Sequence, residues 1–293
     1  MSPVRDMTSG NPLSLILAFA VPMLMGTLFQ QFYSMVDTII VGKFLGVDAL
    51  ASVGSTGAVN FMVNGFVIGV TAGFAIPVAQ QFGAQNYRNM RKYVANTIWL
   101  TIGFSVVMTT VIGALTWKIL VWMRTPENII QGAYNYIFII FLGIPVTYLY
   151  NLTASIIRAL GDSKTPVYFL ILSSLVNIVL DYISINFLGM GVAGPACATV
   201  ISQGLSGILC VLYMKKKFTI LHFQKGEMEF DGRMCLNLCN MGIPMGLQYS
   251  ITAIGSVILQ TAVNTLGSVA VASVTAGQKV SMFFCCVFDA LGG

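Results

Sequence analysis

Six stretches of this chain carry no Asp, Glu, Lys or Arg: residues 7–36, 49–87, 93–117, 128–157, 182–214 and 234–278. A helix needs about 20 apolar residues to cross a bilayer, so each run holds one span, a span with a turn, or two spans. A water-soluble fold has no use for such runs. Only 9% of the residues are charged, against about 25% in soluble domains, and the mean hydropathy is +0.83. The chain is therefore expected to be an all-α polytopic membrane protein. Dividing the runs at Gly, Pro and charge clusters predicts eight helices, near 12–42, 50–80, 94–121, 131–158, 165–188, 191–214, 233–265 and 268–293.

Orientation is read from Lys and Arg. Eleven of the fifteen fall on one side (Arg5, Arg88, Arg91, Lys92, Arg158, Lys164, Lys215, Lys216, Lys217, Lys225 and Arg233), and four on the other (Lys43, Lys118, Arg124 and Lys279). The positive-inside rule makes the N-terminus cytoplasmic, in the cell membrane. The net charge of +5 is thus topological and gives no reason to expect nucleic acid. The AFA triplet at 18–20 resembles a signal-peptide cleavage site, but the apolar segment before it is short and runs on through Phe32, so it is read as the first span. Cys197, Cys210, Cys235, Cys239, Cys285 and Cys286 show no metal-ligand spacing and read as reduced packing residues. His222 stands alone in a loop.

Two acids sit inside predicted spans, Asp37 and Asp181. A central Asp costs about 2.5–3.5 kcal/mol on insertion scales, so such residues face a bundle interior and mark ion pathways. At about 1.5 Å rise per residue, Asp37 lies roughly 13 Å, Asp181 roughly 11 Å and Thr199 roughly 12 Å from the same membrane face. Each belongs to a polar stripe. Asn177 and Asp181 are i and i+4, flanked by Ser173 or Ser174 and Ser184; Gln30, Tyr33 and Asp37 share a face of the first helix, and Thr199, Gln203 and Ser206 share one of the sixth. The cluster has only oxygen and amide donors, which suit a proton or a hard cation. Two buried carboxylates cannot both stay ionised without a counter-charge, so such a pair takes up H⁺ or Na⁺ and releases it, as ion-coupled transport requires. If the ion is Na⁺, then Asp37, Asn177, Asp181 and Thr199 are its ligands. An interhelical clamp by Asn177, worth about 0.6 kcal/mol, is the structural alternative.

The chain also repeats itself. VGKFLGVDALASVGSTG (41–57) aligns with AVNTLGSVAVASVTAG (262–277) on Leu45-Gly46 with Leu266-Gly267, and VPM at 21–23 matches IPM at 243–245. Two related lobes with a path between them are a common transporter plan. The seventh helix repeats no acid but carries Gln248, Thr252, Ser256, Gln260 and Asn264, a slowly winding stripe that reads equally as substrate path or helix contact. Gln30, Gln248 and Thr252 are the candidate substrate-path residues.

VDTIIVGKFLGVDALASVGS after a proline-bearing first helix, RALGDSKTP at 158–166 and NIVLD in the fifth helix resemble the multidrug and toxic compound extrusion (MATE) transporters along the whole length. The resemblance implies two six-helix lobes and cation-driven export of organic, often cationic compounds, with no cofactor beyond the coupling ion. It implies an ion site on Asp37, Asn177, Asp181 and Thr199, neighbouring tyrosines at Tyr33 and Tyr136, and a helix bend at Pro22. Some members place a glutamate in the seventh helix; here that position is Thr252, so coupling is expected from the amino-terminal site. The family has about four more helices. The chain is therefore expected to be a fragment, with a six-helix lobe over 1–214, a basic cytoplasmic linker over 215–232, and helices seven and eight of the second lobe over 233–293, from a parent expected to be monomeric. A lipid-linked oligosaccharide flippase is the alternative. It would need cationic side chains in the cavity, whereas nearly all Lys and Arg are expected in loops. An intramembrane hydrolase would need a nucleophile and base or a metal motif. No HExxH occurs, and Asp162 lacks the first glycine of a GxGD pattern, so no enzyme is expected.

Overall fold

The computed structural model describes residues 12–224 and 226–292, with the side chains of all of these except 12–20, 22, 23 and 283–292. These residues form nine α-helices and one short 3-10 turn: α1 (Pro12–Leu45), α2 (Val47–Gly83), α3 (Tyr87–Trp122), α4 (Glu127–Leu142), α5 (Ile144–Ala159), α6 (Lys164–Asn186), α7 (Ala193–Lys217), the turn Thr219–Leu221, α8 (Gly232–Asn264) and α9 (Ser268–Gly292). No strand occurs among the described residues. Among the described residues five helices are each long and apolar enough to cross a membrane, and a sixth span results if the bent pair α4–α5 is counted as one.

That pair corrects the single helix expected over 131–158. The chain bends by 47° between Leu142 and Ile144. Pro145 cannot donate to the preceding turn, and a Cβ at Gly143 would lie 2.5 Å from Val200 Cγ2. Glycine is needed there to let α7 approach.

The repeated Leu-Gly pairs do the same work twice. Gly46 (φ 89°) joins α1 to α2 and Gly267 (φ 91°) leads from α8 into α9, a left-handed conformation that glycine adopts without strain. Under the repeat, α1 corresponds to α8 and α2 to α9. The observed packing of α1 on α9 and of α2 on α8 is the exchange that a pseudo-two-fold axis generates.

The RALGDSKTP loop also has a physical reason. Gly161 takes φ 90°, and Asp162 then caps α6: its Oδ1 accepts from Lys164 N at 3.1 Å and Thr165 N at 3.0 Å, while its Oδ2 accepts from Thr165 Oγ1 at 2.7 Å and Tyr213 OH at 2.9 Å. One carboxylate thus starts α6 and ties it to α7.

The segment between α7 and α8 lies strapped across α3. Arg91 grips Glu227 through Nε to Oε2 at 2.6 Å and Nη2 to Oε1 at 2.8 Å, a paired geometry that is both strong and directional. Trp99 Nε1 donates to Met228 O at 3.1 Å, and the buried Asn96 accepts from Asp231 N at 2.8 Å. The Arg91 hydrogen bonds hold the Glu227 carboxyl down at about 2, from an ordinary 4.5. A depressed carboxyl stabilises the docked form fully above its unfolded value and loses that contribution as pH falls through the folded one. Limited proteolysis of the 218–231 segment should therefore be slow and flat from pH 7 to about 4.5, and Glu227→Gln should speed it several-fold throughout that range. Equal cleavage of both proteins would show that the strap is held elsewhere.

Candidate ion and substrate cavity

A cavity of about 400 Å³ opens between α1, α2, α4, α5, α6, α7 and α9. Its wall carries Gln30, Tyr33, Ser34, Asp37, Tyr136, Asn177 and Thr199, together with Asn60, Asn64, Tyr150, Asn151 and Gln203. It is rich in amide and hydroxyl groups and, among the described residues, contains no Phe, Met or Trp.

Parts of the sequence stripes line it: Gln30, Tyr33 and Asp37, then Ser173, Ser174 and Asn177, then Thr199, Gln203 and Ser206, while Asp181 and Ser184 lie behind the wall. Ser173, Ser174, Asn177, Asp181 and Ser184 are all buried along one face of α6. Asn177 Nδ2 reaches Thr199 Oγ1 on α7 at 3.5 Å, a long contact. Asp181 is 0% exposed and faces Asp37 on α1 closely enough for the two carboxyls to interact directly; Tyr33 and Tyr136 lie in the same electrostatic neighbourhood. No hydrogen bond of ordinary geometry joins the acids. Asp37 Oδ1, Asn177 Oδ1 and both carboxyl oxygens of Asp181 are buried without a partner. The other buried unpartnered oxygens among the described residues are single hydroxyls, on Thr101, Thr109, Thr125 and Ser206.

An orphaned buried polar atom costs about 1–3 kcal/mol, and more when charged. Four such oxygens belong to Asp37, Asn177 and Asp181, and oxygens of this kind are what a proton or a hard cation would satisfy. Among the described residues there is no cluster of three or more His, Cys, Asp or Glu.

Other expected residues fall elsewhere. Gln248 and Thr252 are exposed on α8 and lie outside the cavity wall, with Thr252 Oγ1 donating to Tyr249 O in its own helix at 2.7 Å. Further along the same stripe, Gln260 donates to Asn264 at 2.9 Å and Asn264 donates to Met123 O at 2.9 Å, both buried. A stripe drifting about 40° per four residues passes from an exposed face into a helix contact. Pro22 lies in α1 but outside the residues whose side chains are described, as do Cys285 and Cys286; the other four cysteines are free thiols. His222 is exposed, its Nε2 lying 3.1 Å from Lys215 O.

One expectation is corrected. Lys279, counted with the outer-side charges although the helix predicted over 268–293 contains it, sits inside α9, lines the cavity, and donates from Nζ to Ser34 Oγ at 2.7 Å. Eleven residues from the start of α9 amount to about 16 Å of rise, deeper than a lysine stem snorkels. Arg158, at the far end of the wall, is also lining and donates to Ser155 Oγ at 3.2 Å. The cavity therefore presents two cations among its described lining residues, whereas nearly all Lys and Arg were expected outside it.

A family model described as MatE matches residues 22–183. The chain belongs to the MatE family. The probable multidrug resistance protein YoeA of Bacillus subtilis (strain 168) is 32% identical over 272 residues, covering 90% of this chain and 59% of that protein. The probable multidrug resistance protein YpnP of the same organism is 30% identical over 279 residues, covering 94% and 61%. A solved structure of the MATE multidrug transporter DinF-BH superposes with a TM-score of 0.87 at 23% identity, over 98% of this chain and 64% of that one, which shows the shared fold. The chain thus spans about 60% of the length of these relatives. MatE proteins are transporters and not enzymes, and Asp162 of the GxGD-like stretch is a helix cap.

Proposed function

We propose that this MatE chain supplies the amino-terminal lobe, over 1–214, the cytoplasmic linker over 215–232 and the first two helices of the second lobe of a secondary antiporter. The antiporter exports small organic compounds, cationic ones included, across the cell membrane in exchange for H⁺ or Na⁺. The N-terminus is cytoplasmic, as the Lys and Arg bias indicates, and the intact transporter works as a monomer with no cofactor. The observation that carries the reading is that Asp37, Asn177 and Asp181 hold four buried oxygens without partners, with Asn177 reaching Thr199.

A monovalent cation bound there neutralises the carboxyl pair, draws α1 toward α6 and narrows the cavity, so that substrate leaves outward. Pro22 is the flexure point, Tyr33 and Tyr136 steady the carboxyls, and Gln30 meets the substrate in the cavity wall. Gln248 and Thr252 serve a path along the exposed face of α8. Ion and substrate exchange because each favours a different state of one equilibrium.

The test is efflux of a fluorescent dye from vesicles containing a transporter of full family length that carries this chain, with Na⁺ and proton gradients imposed separately. Export that follows one gradient and reverses with it supports antiport and identifies the ion. Export indifferent to both gradients sinks the reading. A flippase of lipid-linked oligosaccharide is the second reading, favoured by Lys279 and Arg158 in the cavity wall. It predicts movement of a pyrophosphate-linked lipid and none of the dye.

A further inference from the structure

The ion site as drawn so far gives Lys279 no role. Lys279 reaches the cavity from the second lobe and donates a hydrogen bond to Ser34 Oγ. An ammonium has three donors. Ser34 lies one turn before Asp37 on α1, and Asp37 is the carboxyl that interacts with Lys279 from its own side of the cavity. No ion pair of 4 Å or less joins them; among the described residues only Arg91 and Glu227 form one. Lys279 thus lies within electrostatic reach of Asp37 without pairing with it, and Asp37 Oδ1 has no partner.

Charge arithmetic then fixes the consequence. Asp37 and Asp181 together can carry two negative charges, and low-dielectric surroundings demand that they be matched. One match is already attached to α9. We propose that Lys279 is a resident cation of the ion site: it serves as the counter-charge of Asp37, so that the carboxyl pair takes up one mobile cation, on the Asp181 side, where an uncharged residue at 279 would leave room for two. This rests on the ion-site reading above and adds its stoichiometry. It also couples the lobes, since the counter-charge of an α1 acid is borne by α9. An anchor for anionic substrates is the competing role for Lys279, but Asp37 beside it repels an anion.

The test is equilibrium binding of radiolabelled Na⁺ to the purified chain in detergent, at fixed pH and with ionic strength held by choline. Wild type is expected to bind one Na⁺ per chain. Lys279→Gln should bind two, the first about tenfold more tightly. Lys279→Arg should keep wild-type binding, and Asp37→Asn should abolish binding because Lys279 then neutralises the remaining acid. The double variant Asp37→Asn with Lys279→Gln should recover one. Lys279→Met, which keeps the length of the stem, replaces the Gln variant if that fails to fold. Binding by Lys279→Gln with none by wild type still supports the proposal, and leaves H⁺ as the coupling ion. Equal stoichiometry and affinity in wild type and Lys279→Gln overturn the proposal while the ion site stands. No Na⁺ binding by any variant overturns the proposal, and the proton-gradient arm of the efflux test then decides whether the ion site stands.

Discussion

Asp181→Asn, in a transporter of full family length, is expected to reduce gradient-driven efflux by about a hundredfold or more, to the level of passive leak. Asp181 is 0% exposed and neither carboxyl oxygen has a partner. Asn keeps its volume and removes its charge, so any change reports the charge and not the packing. A gradient can drive a conformational step only through a difference in ion affinity between two states. A shift from 1:99 to 99:1 needs about 5.5 kcal/mol of such difference. A neutral amide cannot supply it, since its attraction for a cation lacks the Coulomb part that grows as water is excluded. The protein should still fold. The exchange removes a buried charge that has no compensating hydrogen bond, and an unsatisfied amide costs about 1–3 kcal/mol at most. Expression and thermal unfolding near wild type, with efflux lost, is the expected pair of results. Driven efflux that persists in Asp181→Asn would reduce the acid to a helix contact. Thr199→Val is a graded companion: it removes the hydroxyl that accepts from Asn177 but no charge, so a loss of several-fold is expected.

Much of this site was legible because period and polarity are both written into one sequence. Asn177 and Asp181 are four apart on a helix, and an acid inside an apolar run has few places to go. Their common depth placed Asp37, Asp181 and Thr199 together, and the folded chain brings the first two face to face and the third to Asn177. The repeat was legible as well, since Leu-Gly before Ser or Val marks a left-handed glycine in both copies.

Lys279 was misplaced for a physical reason. The positive-inside rule treats each Lys as a mark of the aqueous boundary. It has no way to recognise a lysine whose counter-charge lies on another helix 242 positions away in the chain (37 to 279). The break at Gly143 was hidden similarly: apolar residues run through it, and only the approach of Val200 reveals what the glycine is for. Among the described residues the cavity wall contains no Phe or Met. Those residues are instead found in the packed layers, such as Phe74, Phe141 and Met90, all buried.

A second large effect is expected where α2 crosses α8, a contact whose signal was present in the sequence and overlooked. Gly65, Gly69 and Gly73 recur every four residues on α2, and Gly242 and Gly246 on α8 do the same. A Cβ at Gly69 would lie 2.5 Å from Met245 O and 2.7 Å from Gly246 Cα; at Gly73 it would lie 2.6 Å from Gly242 Cα. These neighbours are backbone, so no rotamer change relieves the clash, and the helices must separate. In a bilayer, helix association rests on such close van der Waals packing, because lipid tails are as apolar as the side chains they replace. Gly69→Val should therefore lower stability by more than the usual 1–3 kcal/mol or so of overpacking, read as a drop in thermal unfolding temperature in detergent. Gly57→Ala is the control. A Cβ there meets nothing within 4 Å, and replacing a mid-helix glycine gains about 0.5–1 kcal/mol, so its unfolding temperature should hold or rise. Similar temperatures for Gly69→Val and Gly57→Ala would show that α2 and α8 slide freely. The expected gap between them has a mechanical consequence. If α2 and α8 are locked backbone to backbone, opening of the cavity cannot run through their seam, and the moving part must be α1, which carries Asp37 and meets α9 through Lys279.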